Sequence, residues 1–435
     1  MILNTPIGTN LRLHDALLTI MSGRLLETRG ALIPALDAMG LSKNDCLRTR
    51  EAIQSGSWSV RGLLKDFQGF VTKQTQWQPL NIAGYNVKAV DTTCIYRPRL
   101  NNCTTKHYNS TAQKALPAIN FAFVTAIGRV REQKVSIPIV ITRGDEHALN
   151  EEKLMQRVCE QGSTFLNDTD VVTADRKFPV LVMLEAGIQN VVVRRATNIT
   201  FRRVLKIENT SSSQGRGRPR KHGVLIRPLE RVFKGKVHAA SEADEVQTWI
   251  DKDKAGYELV ARVWRGVVLT EQKDWSAARK ALNTVQHWMV LVVKHPDFEI
   301  PMVILSNLEL SAKETYEIMQ GRWGVEQLPL VSKQLLGGHR MFVFEEEMNF
   351  RLPEVTFLAA SVLLVVAACC EPMPTGWWDK RAKPTAGRLR RELSKVRDLR
   401  VLNVPIELRK KNSVVAQLPR GYHFGIKKGR QLSET

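Results

Sequence analysis

Gly84-Tyr-Asn-Val-Lys-Ala-Val-Asp91-Thr-Thr-Cys-Ile-Tyr96 is the stretch on which the fold turns. It reads as a β-strand whose apolar residues lead into an acid, Asp91. Before it, residues 1 to about 82 carry mixed apolar and charged periodicity without a run of alternating β-branched residues, the pattern of helices. After it, Asn120-Phe-Ala-Phe-Val-Thr-Ala-Ile-Gly-Arg-Val130 and Lys134-Val-Ser-Ile-Pro-Ile-Val-Ile-Thr-Arg143 read as two strands joined by a short polar turn.

Leu149, Leu154, Val158 and Phe165 then give helical spacing to residues 147 to about 165. Val171-Val-Thr-Ala-Asp175 is a fourth strand that also arrives at an acid and runs into Arg176-Lys-Phe-Pro179. A short helix over 180–187 ending at Gly187, and a fifth strand, Asn190-Val-Val-Val-Arg-Arg195, complete the block. Three strands, a helix, a strand, a helix and a strand is the order of the ribonuclease-H-like fold. In that fold the first and fourth strands carry acids side by side at the centre of the sheet, and Asp91 and Asp175 stand at those places.

The expected class is therefore α/β, a ribonuclease-H-like mixed sheet with a β-rich insertion, a helical N-terminal domain and a basic helical C-terminal extension. Residues 1–82 form the N-terminal domain, a candidate DNA-binding module. Within it Ser42 to Phe67 has a Ser start, a break at Ser55-Gly56 and a second amphipathic piece, which fits a helix-turn-helix or a plain helical hairpin. The catalytic domain takes 83–200 and 287–371, with His287–Lys294 and Ile300–Ser306 as further strands. Between them, 201–286 loosens into short charged pieces around a polar linker, Asn209–Gly215. The apolar run Val355–Cys370 is expected as a buried helix, shorter than the roughly 18 apolar residues of a membrane span. Residues 372–435 are the basic extension.

Composition narrows the partner. The chain has 435 residues, with Lys plus Arg at 64 against 43 Asp plus Glu, a formal net charge of +21. An excess of that size points to a polyanion, nucleic acid first and an anionic membrane second. Cys46, Cys94, Cys103, Cys159, Cys369 and Cys370 form no CxxC pair and no zinc-type grouping with histidine, and they read as reduced thiols. The N-terminus lacks the apolar block of a signal peptide, so the expected location is cytoplasmic, with no membrane partner.

The chemistry lies in Lys313-Glu-Thr-Tyr-Glu-Ile-Met-Gln-Gly-Arg322-Trp-Gly-Val-Glu326-Gln-Leu-Pro-Leu-Val-Ser-Lys333. On one regular helix, Arg322, Glu326 and Lys333 share a narrow stripe, a carboxylate between two cations. A solvated charged face has the same spacing. Arg322-Trp-Gly-Val-Glu326 with Lys333-Gln-Leu-Leu-Gly337 resembles the YREK signature of DDE transposases of the insertion-sequence-4 type. Val-Asp91-Thr-Thr and Ala-Asp175-Arg-Lys-Phe resemble the first and second acidic motifs of that family, in the right order. The signature tyrosine is replaced by Met319, Tyr316 lies off the stripe, and Pro329 interrupts the helix before Lys333.

The resemblance covers about Gly84 to Gly338. It implies that Asp91 contacts both of two divalent ions, Mg2+ or Mn2+, that Asp175 and Glu326 complete one ion site each, and that Arg322 and Lys333 hold the strand near the scissile phosphate. It implies cutting at element ends and joining to target DNA, with a homodimer on double-stranded DNA, nucleoid-associated in a bacterial-type cell. Taken one at a time, Asp91 also fits a strand-end turn cap and Asp175 a surface pair with Arg176. A transposase relative that has lost its chemistry and a nuclease without strand transfer are the alternatives.

Two further stretches fit DNA. Gly215-Arg-Gly-Arg-Pro-Arg-Lys221 looks like an AT-hook, an extended basic segment whose Arg216 and Arg218, followed by Arg220 and Lys221, suit a narrow A·T minor groove, or else a solvated basic linker. Gly376-Trp-Trp-Asp-Lys-Arg-Ala-Lys-Pro-Thr-Ala-Gly-Arg-Leu-Arg-Arg391 interleaves aromatics with cations, for stacking and backbone contact or for packing on the core. Trp264 and Trp288 are candidates for stacking a flipped base, as a tryptophan does in some relatives.

Overall fold

The computed structural model describes residues 5, 9–100, 103, 105–145, 149–204, 223–251, 256–272, 275–399, 422–424 and 432–434. The chain opens with α1 (Thr9–Met21), α2 (Arg24–Glu27), α3 (Leu32–Asp37), α4 (Lys43–Ser55) and α5 (Val60–Gln74). Strands β1 (Trp77–Pro79), β2 (Asn81–Ile82), β3 (Tyr85–Tyr96), β4 (Lys106–Asn109), β5 (Lys114–Val130) and β6 (Gln133–Arg143) follow. Then come α6 (Glu151–Ser163), β7 (Asp170–Ala174), α7 (Val180–Glu185), β8 (Val191–Arg195), β9 (Phe201–Arg203) and β10 (Leu225–Ile226). Next are β11 (Arg231–Phe233), β12 (Lys236–His238), β13 (Glu245–Ile250), β14 (Glu258–Leu269), α8 (Ala277–Val285), β15 (Trp288–Lys294) and β16 (Met302–Ser306). The last part holds α9 (Ala312–Gly321), α10 (Trp323–Leu330), a π-turn over Val331–Leu335, α11 (Glu346–Cys369) and α12 (Ala386–Leu393). This is a mixed α/β protein.

The chain divides into two compact units: Met1–Gln78, Thr92–Glu151 and Gly324–Thr435 form the first, Pro79–Asp91 and Glu152–Trp323 the second. The first is helical around one long apolar rod. Its core gathers Leu13, Ile20, Leu36, Ile53 and Phe67 from the N-terminal helices with Phe121, Phe123 and Ile137 of the β5–β6 hairpin and Phe357 and Leu363 of α11. Phe357 meets Phe121 and Phe123 edge-on at 5.2 and 4.9 Å, a preferred aromatic geometry. Arg143, closing β6, donates through Nε and Nη2 to both oxygens of buried Glu354, at 2.9 and 3.0 Å.

The helical hairpin read between Ser42 and Phe67 is present. Ser42 and Ser59 cap α4 and α5, each accepting from the backbone N–H three residues on. Arg351 of α11 donates to the carbonyls of Ile53, Gly56 and Trp58 and lies 4.4 Å over the Trp58 ring, which fastens the turn to the core. The apolar run reaches further than its composition suggests. Acidic Glu346 and Glu347 suit a helix N-terminus, and α11 continues through Pro353 to 24 residues. Among the described residues it is the one helix long and apolar enough to cross a membrane, and 78% of its most apolar window is buried inside the protein.

In the second unit, the part of β3 before Thr92 runs parallel to β7, and β7 parallel to β8. All five residues of β7 are buried, as are the first three of β8, the mark of parallel strands covered on both faces. Beyond β8 the sheet turns antiparallel through β16, β15 and β14. The expected loose pieces of 201–286 include one strand of twelve residues, β14, which pairs with β15, β13 and β9. Cross-strand partners, invisible to a local reading, order it. The helix expected from 147 to 165 is shorter: α6 buries Leu154 and Val158, while Leu149 and Phe165 lie outside it and exposed.

Candidate active site

Asp91 and Asp175 come together in the second unit because two strands share a register. Val90 lies opposite Ala174 in the parallel β3–β7 pair, so the next position on each strand sets Asp91 beside Asp175 on one face. β7 ends there, and the Phe178 N–H donates back to the Asp175 carbonyl in a tight turn. Asp175 Oδ1 is buried and has no hydrogen-bond partner. Leaving a buried acceptor unsatisfied costs on the order of 1–3 kcal/mol, and a donor or a cation would each offset it.

Arg322 brings a positive charge to the pair. Its Nη1 is 3.8 Å from Asp91 Oδ2, with the arginine side chain only 6% exposed and the aspartate 22%. Helix α9 delivers it. Ser311 and Glu314 close a reciprocal capping box at the start of α9, and the helix packs on β7, β8 and β16. Gly321 permits its close approach: a Cβ there would meet Leu80 Cδ2 at 2.8 Å and Val87 Cγ1 at 3.2 Å. The residue after that contact is Arg322, and the strand it touches leads to Asp91.

The single stripe expected for Arg322, Glu326 and Lys333 is not a feature of the structure, because the helix is not continuous. α9 stops at Gly321, α10 spans Trp323–Leu330 with Pro329 inside it, and the π-turn follows. Pro329 has no N–H for the Val325 carbonyl, and the wide turn comes directly after it. Glu326 and Lys333 belong to the first unit, Glu326 half-buried in α10 and Lys333 half-buried in the π-turn. α10 lies close on the β5–β6 hairpin, where a Cβ on Gly324 would sit 3.1 Å from Ile127 Cδ1.

The other expected residues fall as follows. Met319 is buried in α9, and Tyr316 is buried too, its ring 5.7 Å from that of Trp249 and its hydroxyl accepting from Gln320. Trp264 and Trp288 do not serve as stacking platforms. They are 0% and 1% exposed, and Trp264 Nε1 donates to the Glu242 carbonyl at 2.6 Å. β15 is buried from Trp288 to Val293, and Val263 and Trp264 are both buried in β14, so both indoles lie in the core. Arg216, Arg218, Arg220 and Lys221 lie outside the described residues.

One residue escaped the sequence reading. Val193 of β8 lies opposite Ala174, so half-buried Arg194 stands level with Asp175 on the face that carries both acids. Its neighbour Arg195 donates to the Phe178 carbonyl at 3.3 Å, and burial lowers its guanidinium below the usual arginine range. The signal was present, a basic pair closing an otherwise apolar strand. Among the described residues no group of three or more His, Cys, Asp or Glu side chains is placed to hold a metal ion. Compared with known proteins, the chain matches no family model, and no curated protein is similar to it.

Proposed function

We propose that the chain is a metal-dependent DNA transposase with a ribonuclease-H-like catalytic domain, cutting and rejoining DNA at element ends. The observation that carries this reading is the parallel β3–β7 register, which ends at Val90 opposite Ala174 immediately before Asp91 and Asp175, with Arg322 against Asp91, on a chain of net charge +21. The strand order supports it: β5 neighbours β3, β3 runs parallel to β7 and β7 parallel to β8, with β6 antiparallel on β5. A ribonuclease-H-like catalytic domain would need such a parallel centre.

The acids fit a hard divalent cation. Both offer carboxylate oxygen, the donor that Mg2+ and Mn2+ take, and Asp175 Oδ1 is buried without a partner. When bound, such ions supply an activated water or 3′-hydroxyl and charge for the departing oxygen. Asp91 and Asp175 would hold them, and Glu326 is the third ligand that the resemblance assigns. Arg322 orients the Asp91 carboxylate and presents a guanidinium to a phosphate. Arg194, level with Asp175, adds a second cation on the same face.

A second reading is a DNA-binding relative without chemistry. It is favoured by the lack, among the described residues, of a three-acid cluster placed for metal, and by Met319 where the signature has tyrosine. One experiment separates the two. DNA from either side of the reading frame is incubated with the protein and Mg2+ or Mn2+, and nicking and joined products are followed. Wild type cuts, and Asp91→Ala, Asp175→Ala and Glu326→Ala each cut on the order of a hundredfold more slowly or worse. Cutting by a variant at the wild-type rate removes that residue from the site, and binding without any cutting favours the second reading.

A further inference from the structure

The loop between α11 and α12 displays two adjacent tryptophans to solvent, Trp377 at 95% and Trp378 at 65% exposure. Exposed indoles forgo burial worth roughly 1.5–3 kcal/mol per large apolar side chain, so a fold that fixes two of them outward is keeping them for a partner. The loop is built to hold them. Backbone bonds between Met373 and Lys383 close its base. Asp379 Oδ2 accepts from the Thr375 N–H and hydroxyl at 2.8 and 2.9 Å, its Oδ1 accepts from the Arg381 N–H at 3.0 Å, and Arg388 pairs with it at 2.9 Å. Arg391 donates to the Thr375 carbonyl at 2.9 Å.

Gly376 lets the indole lie close to the backbone: a Cβ there would fall 2.5 Å from Trp378 Cη2, and the ring would have to shift. Trp377 and Trp378 stand 5.8 Å apart between centroids with their planes at 83°, so they present two differently oriented faces. The charge around them has one sign. From Gly376 to Arg391 the sequence carries Lys380, Arg381, Lys383, Arg388, Arg390 and Arg391 against Asp379 alone, and Asp379 is neutralised by Arg388. Lys380, Arg381 and Lys383 are exposed. An aromatic, polyanionic partner satisfies both features at once: bases stack on indoles and phosphates meet the cations.

We propose that the loop from Met373 to Lys383 is a docking surface for unpaired DNA, with Trp377 and Trp378 stacking on bases and Lys380, Arg381 and Lys383 contacting the backbone. It goes beyond the transposase reading and does not depend on the metal pair, since it requires neither Asp91 nor Asp175. Strand exposure during cutting and joining gives such a surface its use.

The test uses the full chain in excess EDTA with fluorescein-labelled oligothymidylate of about 20 nucleotides, read by anisotropy, and a duplex of equal length as the comparison. Trp377→Ala/Trp378→Ala weakens oligothymidylate binding by roughly tenfold to a hundredfold and duplex binding far less, while Trp377→Phe/Trp378→Phe keeps most of the affinity. Unchanged oligothymidylate affinity in the alanine double variant overturns the proposal, as does an equal loss on duplex. A change of oligomeric state by sedimentation without a change in DNA affinity assigns the loop to a second copy instead. Tryptophan-dependent binding to anionic vesicles, with none to oligothymidylate, assigns it to a membrane surface. Cleavage assays on Asp91→Ala report separately on the catalytic reading, so either can fail alone.

Discussion

Arg322 is a nearly buried cation whose guanidinium lies 3.8 Å from Asp91, a carboxylate only partly screened by water. Removing either partner leaves the other charge desolvated, so the pair is coupled in stability as well as in chemistry. A double-mutant cycle of Asp91→Asn and Arg322→Gln, followed by urea unfolding, gives a coupling energy on the order of 1 kcal/mol. Additive effects within error would show that the approach contributes nothing. At this scale the sequence was informative about acids and poor about aromatics. Asp91 and Asp175 each follow a run of mostly apolar strand residues, a pattern visible in six or seven residues, although β3 continues past Asp91 to Tyr96. Trp264 and Trp288 also lie on strands, but which face of a strand meets the core depends on its neighbours, and both indoles face inward.

Elements repeat the contrast. The β5–β6 hairpin, α4, α5, α7 and β8 fall close to where their periodicity and turn residues place them, because capping serines and glycines such as Gly187, at φ 88, act locally. The stretch carrying Arg322, Glu326 and Lys333 departs from one regular helix at two places: α9 ends at Gly321, and a π-turn follows α10, which holds Pro329. α11 is the element on which the first unit depends: Phe357, 0% exposed, touches two phenylalanines of the hairpin edge-on. Phe357→Ala lowers unfolding free energy by about 3–5 kcal/mol, and Phe357→Leu by less, measured by denaturant titration. A loss under about 1 kcal/mol for alanine would show that the cluster is not tightly packed.

For the molecule as a whole, the carboxylates with shifted affinities set the acid limit. The Arg203 hydrogen bond holds Asp244 below the usual carboxylate range, as the Arg265 bond does for Glu245, the Ser311 hydroxyl for Glu314 and the Thr375 N–H for Asp379. Each folded carboxyl binds its proton more weakly than the unfolded one. Their stabilisation is therefore fully present above the ordinary carboxylate pKa, near 4, and is lost as pH falls through the lowered values. The melting temperature drops below about pH 4, and Asp244→Asn makes that drop shallower, while Glu354, which burial pushes up to about 7, acts in the opposite sense, its contribution being lost as pH rises towards 7. An acid limb identical in the variant would remove Asp244 from the balance.

What the sequence determined by itself is the chemistry on offer: a basic chain, two acids each led into by apolar strand residues, a helical start and a long apolar helix. Those follow from local periodicity, capping and charge, which need no partner. Only the tertiary structure decided that Val90 and Ala174, the residues before Asp91 and Asp175, share a register, that Arg322 reaches Asp91 through the gap left at Gly321, that Arg194 follows the Val193–Ala174 pair, and that Trp377 and Trp378 rather than Trp264 and Trp288 are open to a ligand. Register and burial are properties of pairs of segments far apart in the chain, and no single segment carries them.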